Sequence, residues 1–402
     1  MESGKMNSKK AIIIIPGIMG SQIFAADTIT IPPTKGFADF PNTFQKGTRL
    51  WDPAVSRLMV VDEKILALAC DSDGKPVYPT CINPPTVNKY NKRGGFQYGA
   101  TDIYRRLYNR LYRHYHKHGY DIVLFEFDWR EDQLETAKKL LAFIEESGYE
   151  SVVLVSHSMG GIVASYFLSL GEKARKYVYK HISVGAPYLG TVELPYLVTT
   201  GNIRYSAFEN MVVSEPVAQI ITNIPAIYVL TPFKQHWRPF VSHGAGTDFY
   251  ETYEETLEAL EHYIPGWNKK LAGKIIAEQS LMFNPDGSHI TSLVDTRYVV
   301  GTGRSTTCSV YAAFDNPTDP TRFLPFNSVK NTEGDGMVTK HSATIGDTIP
   351  AERLFLRTNT KTTTSEHVAV VSCEDPKLSK LDYSTVDLVI SLLKELAPPQ
   401  QR

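Results

Sequence analysis

The segment Ser156-His157-Ser158-Met159-Gly160 sets a serine between an apolar run and a pair of glycines. Val152, Val153, Leu154 and Val155 are uninterrupted and mostly β-branched, which predicts a short buried strand. Beyond Gly160, residues Ile162, Val163, Tyr166, Phe167 and Leu170 recur at helical spacing and cover one face. Ser158 therefore falls on a strand-to-helix turn. In the G-x-S-x-G nucleophile elbow that turn is so tight that small residues flank the serine, and its hydroxyl is thrust outward. Here Ser156 replaces the first glycine, a small-for-small exchange. A serine at the start of a helix also serves as its cap, so the five residues alone leave both readings open.

A serine hydroxyl attacks a carbonyl only when a base takes its proton and an acid holds that base. Where an elbow presents the serine, the acid and then the base follow it in the chain. Asp335 lies between two glycines in TEGDGMVTKHSA, after irregular sequence and ahead of a short strand start. Such a loop suits a triad acid, and an ordinary Asp-Gly turn reads the same way. His341 and His367 are the histidines beyond it. His341 follows by six residues, a very short return from the acid's own loop, whereas His367 follows another expected strand and a Thr/Ser run. His367 is the preferred base. Charge developing on the carbonyl oxygen needs two aimed backbone N–H groups, and losing one typically costs about a hundredfold or more in rate. Met159, next after the serine, offers one. The loop in IIIIPGIMGS, with Ile18 and Met19 between Gly17 and Gly20, offers the other through Met19. Chemistry of this kind needs neither metal nor cofactor.

The elements that must position these groups alternate along the first 190 residues. A strand at 11–15 is followed by a long irregular stretch. Then come a helix at 102–118, a strand at 120–127, a helix at 131–148, the Ser158 strand and helix, and a strand at HISVGAP. That rhythm implies a mostly parallel sheet with helices on both faces. It breaks near residue 190. Residues 191–290 carry many aromatics and prolines and an acidic helix at TYEETLEALEHY, which reads as an inserted cap. Strand character returns at TRYVVGTGRSTTCSVYAAF and AERLFLRTN, and an amphipathic helix lies near YSTVDLVISLLKEL.

The 402 residues are 42% hydrophobic and 21% charged with a net charge of −1, an ordinary globular balance. It gives no electrostatic case for nucleic acid. No apolar run approaches the roughly 18 residues that span a bilayer. AIIII reads as a first strand rather than a secretory signal, because Pro16, Gly17 and Gly20 interrupt it. If the start is native, the chain is expected in the cytoplasm. Cys70, Cys81, Cys308 and Cys373 show no metal-type spacing. They read as free thiols, or Cys70 and Cys81 as a pair in an oxidising compartment.

PGIMGS, FDWRED, LVSHSMGG, ISVGAPYLGT, GDGMVTKHSA and SEHVAVV, in this order, resemble the lecithin:cholesterol acyltransferase family of lipases, phospholipases and acyltransferases. The resemblance covers about residues 11–190 and 295–395, and the cap matches poorly. Ser156 departs from it, since the family more often shows Ala or Gly there. It implies an α/β-hydrolase fold: residues 1–190 form the first part of the core, with a lid-like insertion at about 24–98. Residues 191–290 form a cap or lid, and 291–402 the second part of the core. It implies Ser158 as nucleophile, Asp335 as acid, His367 as base, and Met19 and Met159 as oxyanion donors. The expected activity is hydrolysis of carboxylic esters, on a lipid or other acyl ester, with transient contact with a lipid surface. The alternatives are acyl transfer to an alcohol and, on the same fold, an inactive lipid-binding module. The stretch 207–240 supplies Val, Ile, Phe and Trp for an acyl-chain pocket or, equally, for an apolar cap core. Trp51 resembles a family segment near the site more weakly.

Other signals carry less. His114, His116 and His118 alternate, which sends neighbours to different helix faces and argues against a shared ion. GTGRST lacks the lysine of a phosphate loop and reads as a strand-end turn. His157 is expected to pack or hydrogen-bond, and Asp128 and Arg130 to brace the sheet end.

Overall fold

Strand β1 (Lys10–Ile15) is buried along its isoleucines, as a strand covered on both sides must be. Ala11, Ile13 and Ile15 enter one apolar core, and Ile12 and Ile14 enter another. The computed structural model describes residues 8–33, 40–51, 63–89, 100–192, 202–205, 208–212, 220–243, 248–264, 266–312, 326–358, 367, 371 and 384–396. Around β1 it builds a seven-stranded sheet from β2 (Thr86–Val87), β3 (Tyr120–Leu124), β4 (Ser151–His157), β5 (Val178–Val184), β6 (Thr296–Thr302) and β7 (Leu354–Thr358). The order is β7-β6-β5-β4-β1-β3-β2, parallel throughout except that β2 runs against β3. The chain passes from β1 to β3 on one side and then to β4 on the other. Such a switch opens a crevice at the carboxyl ends of the strands.

Helices α1 (Ala100–Tyr115) and α6 (Thr385–Leu392) cover one face, where Tyr104, Leu107, Leu111, Val386 and Val389 pack with Ile12 and Ile14. Helices α2 (Gln133–Glu146) and α3 (Met159–Ser169) lie in the opposite core, with Leu140, Ile144, Val163 and Phe167 around Ile13 and Ile15. Asp132 caps α2 by accepting from Leu134 N–H, the usual work of a helix-opening aspartate. This sheet with helices on both faces is the α/β-hydrolase architecture.

Several boundaries move. Helix α1 stops at Tyr115, and His116–His118 form a tighter turn closed by Gly119 at φ 82°, so the alternating histidines sit at a helix end. β3 ends at Leu124 rather than 127, because the Glu126 N–H turns back to the Leu124 carbonyl. Asp335 does not follow irregular sequence. It directly follows the second strand of an antiparallel hairpin, which pairs Arg304–Ala312, within a stretch expected as strand, with Phe326–Gly334, whose polar Asn, Ser and Thr residues resemble a loop when read alone. Gly303, at φ 80°, makes the turn in GTGRST.

Parts of the two segments expected as insertions, 34–39, 52–62 and 90–98 in the first and 193–201, 206–207, 213–219, 244–247 and 265 in the second, lie outside the described residues. In the first, strands Ile23–Ala25, Arg49–Trp51 and Thr80–Ile82 form a small sheet. Fully buried Arg130 ties it down: it pairs with Asp128 at 2.6 Å and donates to Thr80 Oγ1 and the Leu68 carbonyl. In the second, helices α4 (Tyr253–Tyr263) and α5 (Lys269–Glu278) bring Leu260, Leu271 and Ile275 into the same core as Ile13. Ile221, Ile224, Ile227 and Tyr228 join them, so this described part of 207–240 is apolar core. Cys70 is a buried free thiol, pushed up to about 12 by burial, and Cys81 is an exposed one; Cys373 lies outside the described residues.

Candidate active site

The turn after β4 is made by sterics. Ser158 holds φ 53° and ψ −130°, a conformation that L-residues avoid and that persists only where its surroundings impose it. A Cβ on Gly160 would stand 2.3 Å from the Ile15 carbonyl oxygen, so β1 and the start of α3 meet only through a glycine. Ser156, the departure from the elbow pattern, is buried with its Oγ 2.8 Å from His181 Nε2. The small side chain fits, and its hydroxyl gains a partner that glycine would lack. Burial holds His181 down at about 3, hence neutral.

Asp335 and His367 reach the elbow from elements far along the chain. Asp335 Oδ1 accepts from Met337 N–H at 3.0 Å and Val338 N–H at 2.7 Å, an Asx turn that aims Oδ2 outward. Oδ2 lies 2.7 Å from His367 Nδ1, and His367 Nε2 lies 2.8 Å from Ser158 Oγ. The His367 N–H also donates to the Asp335 carbonyl at 3.1 Å, which fixes backbone to backbone. Gly185, at φ 59° after β5, is close-packed here: a Cβ would lie 3.4 Å from Asp335 Oδ2 and 3.5 Å from His367 Nδ1. The structure thus brings Ser158, Asp335 and His367 together at the carboxyl ends of the strands. His341 goes elsewhere, its Nδ1 facing Asp347 at 3.8 Å.

The loop after β1 closes the third side. A Cβ on Gly17 would stand 2.8 Å from Ser158 Cβ, so the loop backs directly onto the serine. Met19 adopts φ 61°, and its carbonyl accepts from the Trp51 indole N–H at 3.0 Å. Met159 opens α3, where a first-turn N–H has no partner within the helix.

The sequence reading missed Tyr104. It belongs to the apolar stripe of α1 and reads as core, yet its hydroxyl accepts from Gly17 N–H at 2.8 Å and lies 2.8 Å from His157 Nδ1. His157 Nε2 lies 2.8 Å from the His367 carbonyl. Tyr108, Tyr112 and Tyr115 share that face of the helix, so nothing in the sequence sets Tyr104 apart from them. Among the described residues, no group of three or more His, Cys, Asp or Glu side chains stands ready to hold a metal ion. No described helix is long and apolar enough to cross a membrane.

Known proteins match this chain in part. Residues 95–286 match the family model described as lecithin:cholesterol acyltransferase. The match takes in the cap segment, where the motifs had suggested a poor fit, and ends before Asp335 and His367. Lecithin-cholesterol acyltransferase-like 4 of Arabidopsis thaliana is 28% identical over 186 residues, 40% of this chain and 34% of that protein. The matched stretch therefore spans about a third of that relative. Two solved structures are similar at low identity. One is the Tle4-Tli4 complex (TM-score 0.47, 13% identity, 97% of this chain and 99% of that one). The other is mature Bacillus licheniformis lipase BlEst2 (TM-score 0.36, 14% identity, 96% and 93%). The resemblance to the lecithin:cholesterol acyltransferase family holds over the segment that carries the elbow.

Proposed function

Proceeding from that family resemblance around Ser158, we propose that this protein is a serine hydrolase of carboxylic esters whose substrates are lipids or other acyl esters. The observation that carries the reading is one imidazole, that of His367, lying 2.8 Å from Ser158 Oγ and 2.7 Å from Asp335 Oδ2. Within this proposal Ser158 Oγ attacks the ester carbonyl as His367 Nε2 takes its proton. Asp335 accepts from His367 Nδ1–H, which keeps Nε2 facing the serine and stabilises the imidazolium that forms. Met19 and Met159 N–H groups hold the oxyanion. When the tetrahedral intermediate collapses, Nε2 gives its proton to the departing alkoxide. Water, activated by the same nitrogen, then releases the acid and restores the serine.

Ser158 is 7% exposed and His367 4%, so a substrate reaches them after a covering segment shifts. The insertions at about 24–98 and 191–290 are assigned that part, with the remaining chain as core. Acyl transfer to an alcohol is the second reading, favoured by the family that residues 95–286 match. Both share the acyl-enzyme and differ in what accepts the acyl group.

The test is labelling by a fluorophosphonate together with turnover of p-nitrophenyl esters from short to long chains beside a phospholipid. Labelling and turnover are expected in the native chain and lost in Ser158→Ala. A native chain that neither labels nor turns over any of these esters ends the proposal. An added alcohol that yields transferred ester in place of free acid selects the second reading.

A further inference from the structure

Gly17, Tyr104, His157 and His367 form an unbroken hydrogen-bonded chain from the loop after β1 to the backbone of the proposed base. The Gly17 N–H donates to Tyr104 Oη at 2.8 Å, Tyr104 Oη lies 2.8 Å from His157 Nδ1, and His157 Nε2 lies 2.8 Å from the His367 carbonyl. Tyr104 is 2% exposed and His157 and His367 4%, so no bulk water replaces a lost partner. One proton arrangement satisfies every member. The His367 carbonyl only accepts, so Nε2 of His157 carries the proton. Its Nδ1 then accepts from the Tyr104 O–H, and the phenol oxygen is left to accept from Gly17. Burial, with His367 adding to it, pushes the His157 imidazole down to about 3, which keeps this ring neutral. The His157 and His367 rings lie 5.1 Å apart, and those of Tyr104 and His157 5.7 Å.

The chain joins two parts that the sequence holds far apart. Gly17 backs onto Ser158 and leads into the loop with Met19, whereas His367 faces Ser158 from the opposite arm. Tyr104 also decides a tautomer. Without its O–H donor, His157 is free to carry the proton on Nδ1, and the bare Nε2 lone pair would then face the His367 carbonyl oxygen and repel it.

We infer that Tyr104 and His157 are positioning residues of the proposed hydrolysis, locking the oxyanion loop and the base into one rigid unit across the nucleophile. The inference rests on the ester-hydrolase reading. Its readout is chemistry rather than substrate binding. Misplacing catalytic groups by a fraction of an ångström lowers kcat, while KM, set by acyl and head-group contacts, stays put.

The experiment compares the native chain with Tyr104→Phe, His157→Gln, His157→Leu and the double variant Tyr104→Phe/His157→Leu. For each, kcat and KM are measured on p-nitrophenyl butyrate, normalised to serine titrated by fluorophosphonate, and a thermal melt is recorded. Tyr104→Phe is expected to lose about tenfold to a hundredfold in kcat with KM within about twofold. His157→Gln, whose amide still donates toward the His367 carbonyl, is expected to retain more kcat than His157→Leu. The double variant is expected to be no slower than His157→Leu, because the two residues act as one unit. Native kcat in Tyr104→Phe, or losses that multiply in the double variant, overturn the inference. If Tyr104→Phe fails to fold, the Gln-against-Leu comparison decides it: equal kcat per titrated serine overturns the inference. A native chain without Ser158-dependent labelling overturns the hydrolase reading and the inference with it. A labelled native chain with unaffected variants removes the inference alone.

Discussion

On the elbow side of the site, atoms are held by close contact. A Cβ at Gly160 would stand 2.3 Å from backbone oxygen and one at Gly17 2.8 Å from Ser158 Cβ, which leaves the chain a single path. On the acid–base side, Asp335 and His367 are held by hydrogen bonds from Met337, Val338 and each other, across hairpin and loop. Repulsion rises steeply as atoms close below contact distance, so the first side is intolerant of even one methyl. A hydrogen bond is worth about 0.5–1.5 kcal/mol net, and an isostere keeps part of it, so the second side yields by degrees. The difference separates where this molecule is rigid by shape from where it is rigid by polarity.

The contrast can be broken first at the reacting atoms. Ser158→Ala removes no packing, so it is expected to melt like the native chain yet lose at least about 10⁴-fold in kcat. Asp335→Asn is expected to lose about 10⁴-fold as well, because the amide favours the wrong imidazole tautomer. Its melt should move little, since Oδ1 still accepts from Met337 and Val338, whereas Asp335→Ala unpartners both N–H groups and melts earlier. Equal melts for the two variants would mean that polarity is not what holds this arm.

Shape is tested at Gly160→Ala, which forces a methyl into the Ile15 carbonyl. The expected cost is about 3 kcal/mol or more, read as a collapsed melting temperature or as insoluble protein. A soluble Gly160→Ala variant with native melting would remove the steric account of the elbow.

The polar side should also respond to pH, and the signs oppose. Burial holds His157, His181 and His289 at about 3, against 6.5 when unfolded. Unfolding therefore takes up protons below about pH 6.5, and the stability these rings contribute above that value is lost as pH falls toward 3. Glu126, buried with Oε1 unpartnered, is pushed up to about 7 from 4.5. It favours the fold below about pH 4.5, and that contribution is lost as pH rises through 7. Glu126→Gln is expected to stabilise the chain at pH 8 by on the order of 2 kcal/mol and to steepen the acid limb, in melts recorded from pH 4 to 8. An unchanged profile would sink the assignment. At the small end, Lys138→Ala breaks an exposed pair with Glu135 and should shift stability by less than about 0.5 kcal/mol.

Much of the frame was readable because its causes are local. The isoleucines of β1, the stripe on α1 and the Ser158 turn each follow from residues within a few positions of one another, where backbone sterics and apolar period act. The second strand of the hairpin, Phe326–Gly334, was not readable, because its polar residues are specified by pairing with Arg304–Ala312 rather than by their own pattern. Tyr104 hid in a stripe where its ring packs as core while its hydroxyl does different work.

By itself, then, the amino-acid order determined a parallel sheet between helices, a serine on a strained turn, and a short roster of acids and bases that could serve it. It favoured His367 over His341 as the partner of Asp335 and left their meeting to the fold. Only the tertiary structure decided that, and it alone joined Gly17, Tyr104 and His157 to the backbone of His367. The reason is range: sterics and periodicity act over a few bonds, whereas a hydrogen bond between residues 158 and 367 exists only after the sheet has brought their strand ends together.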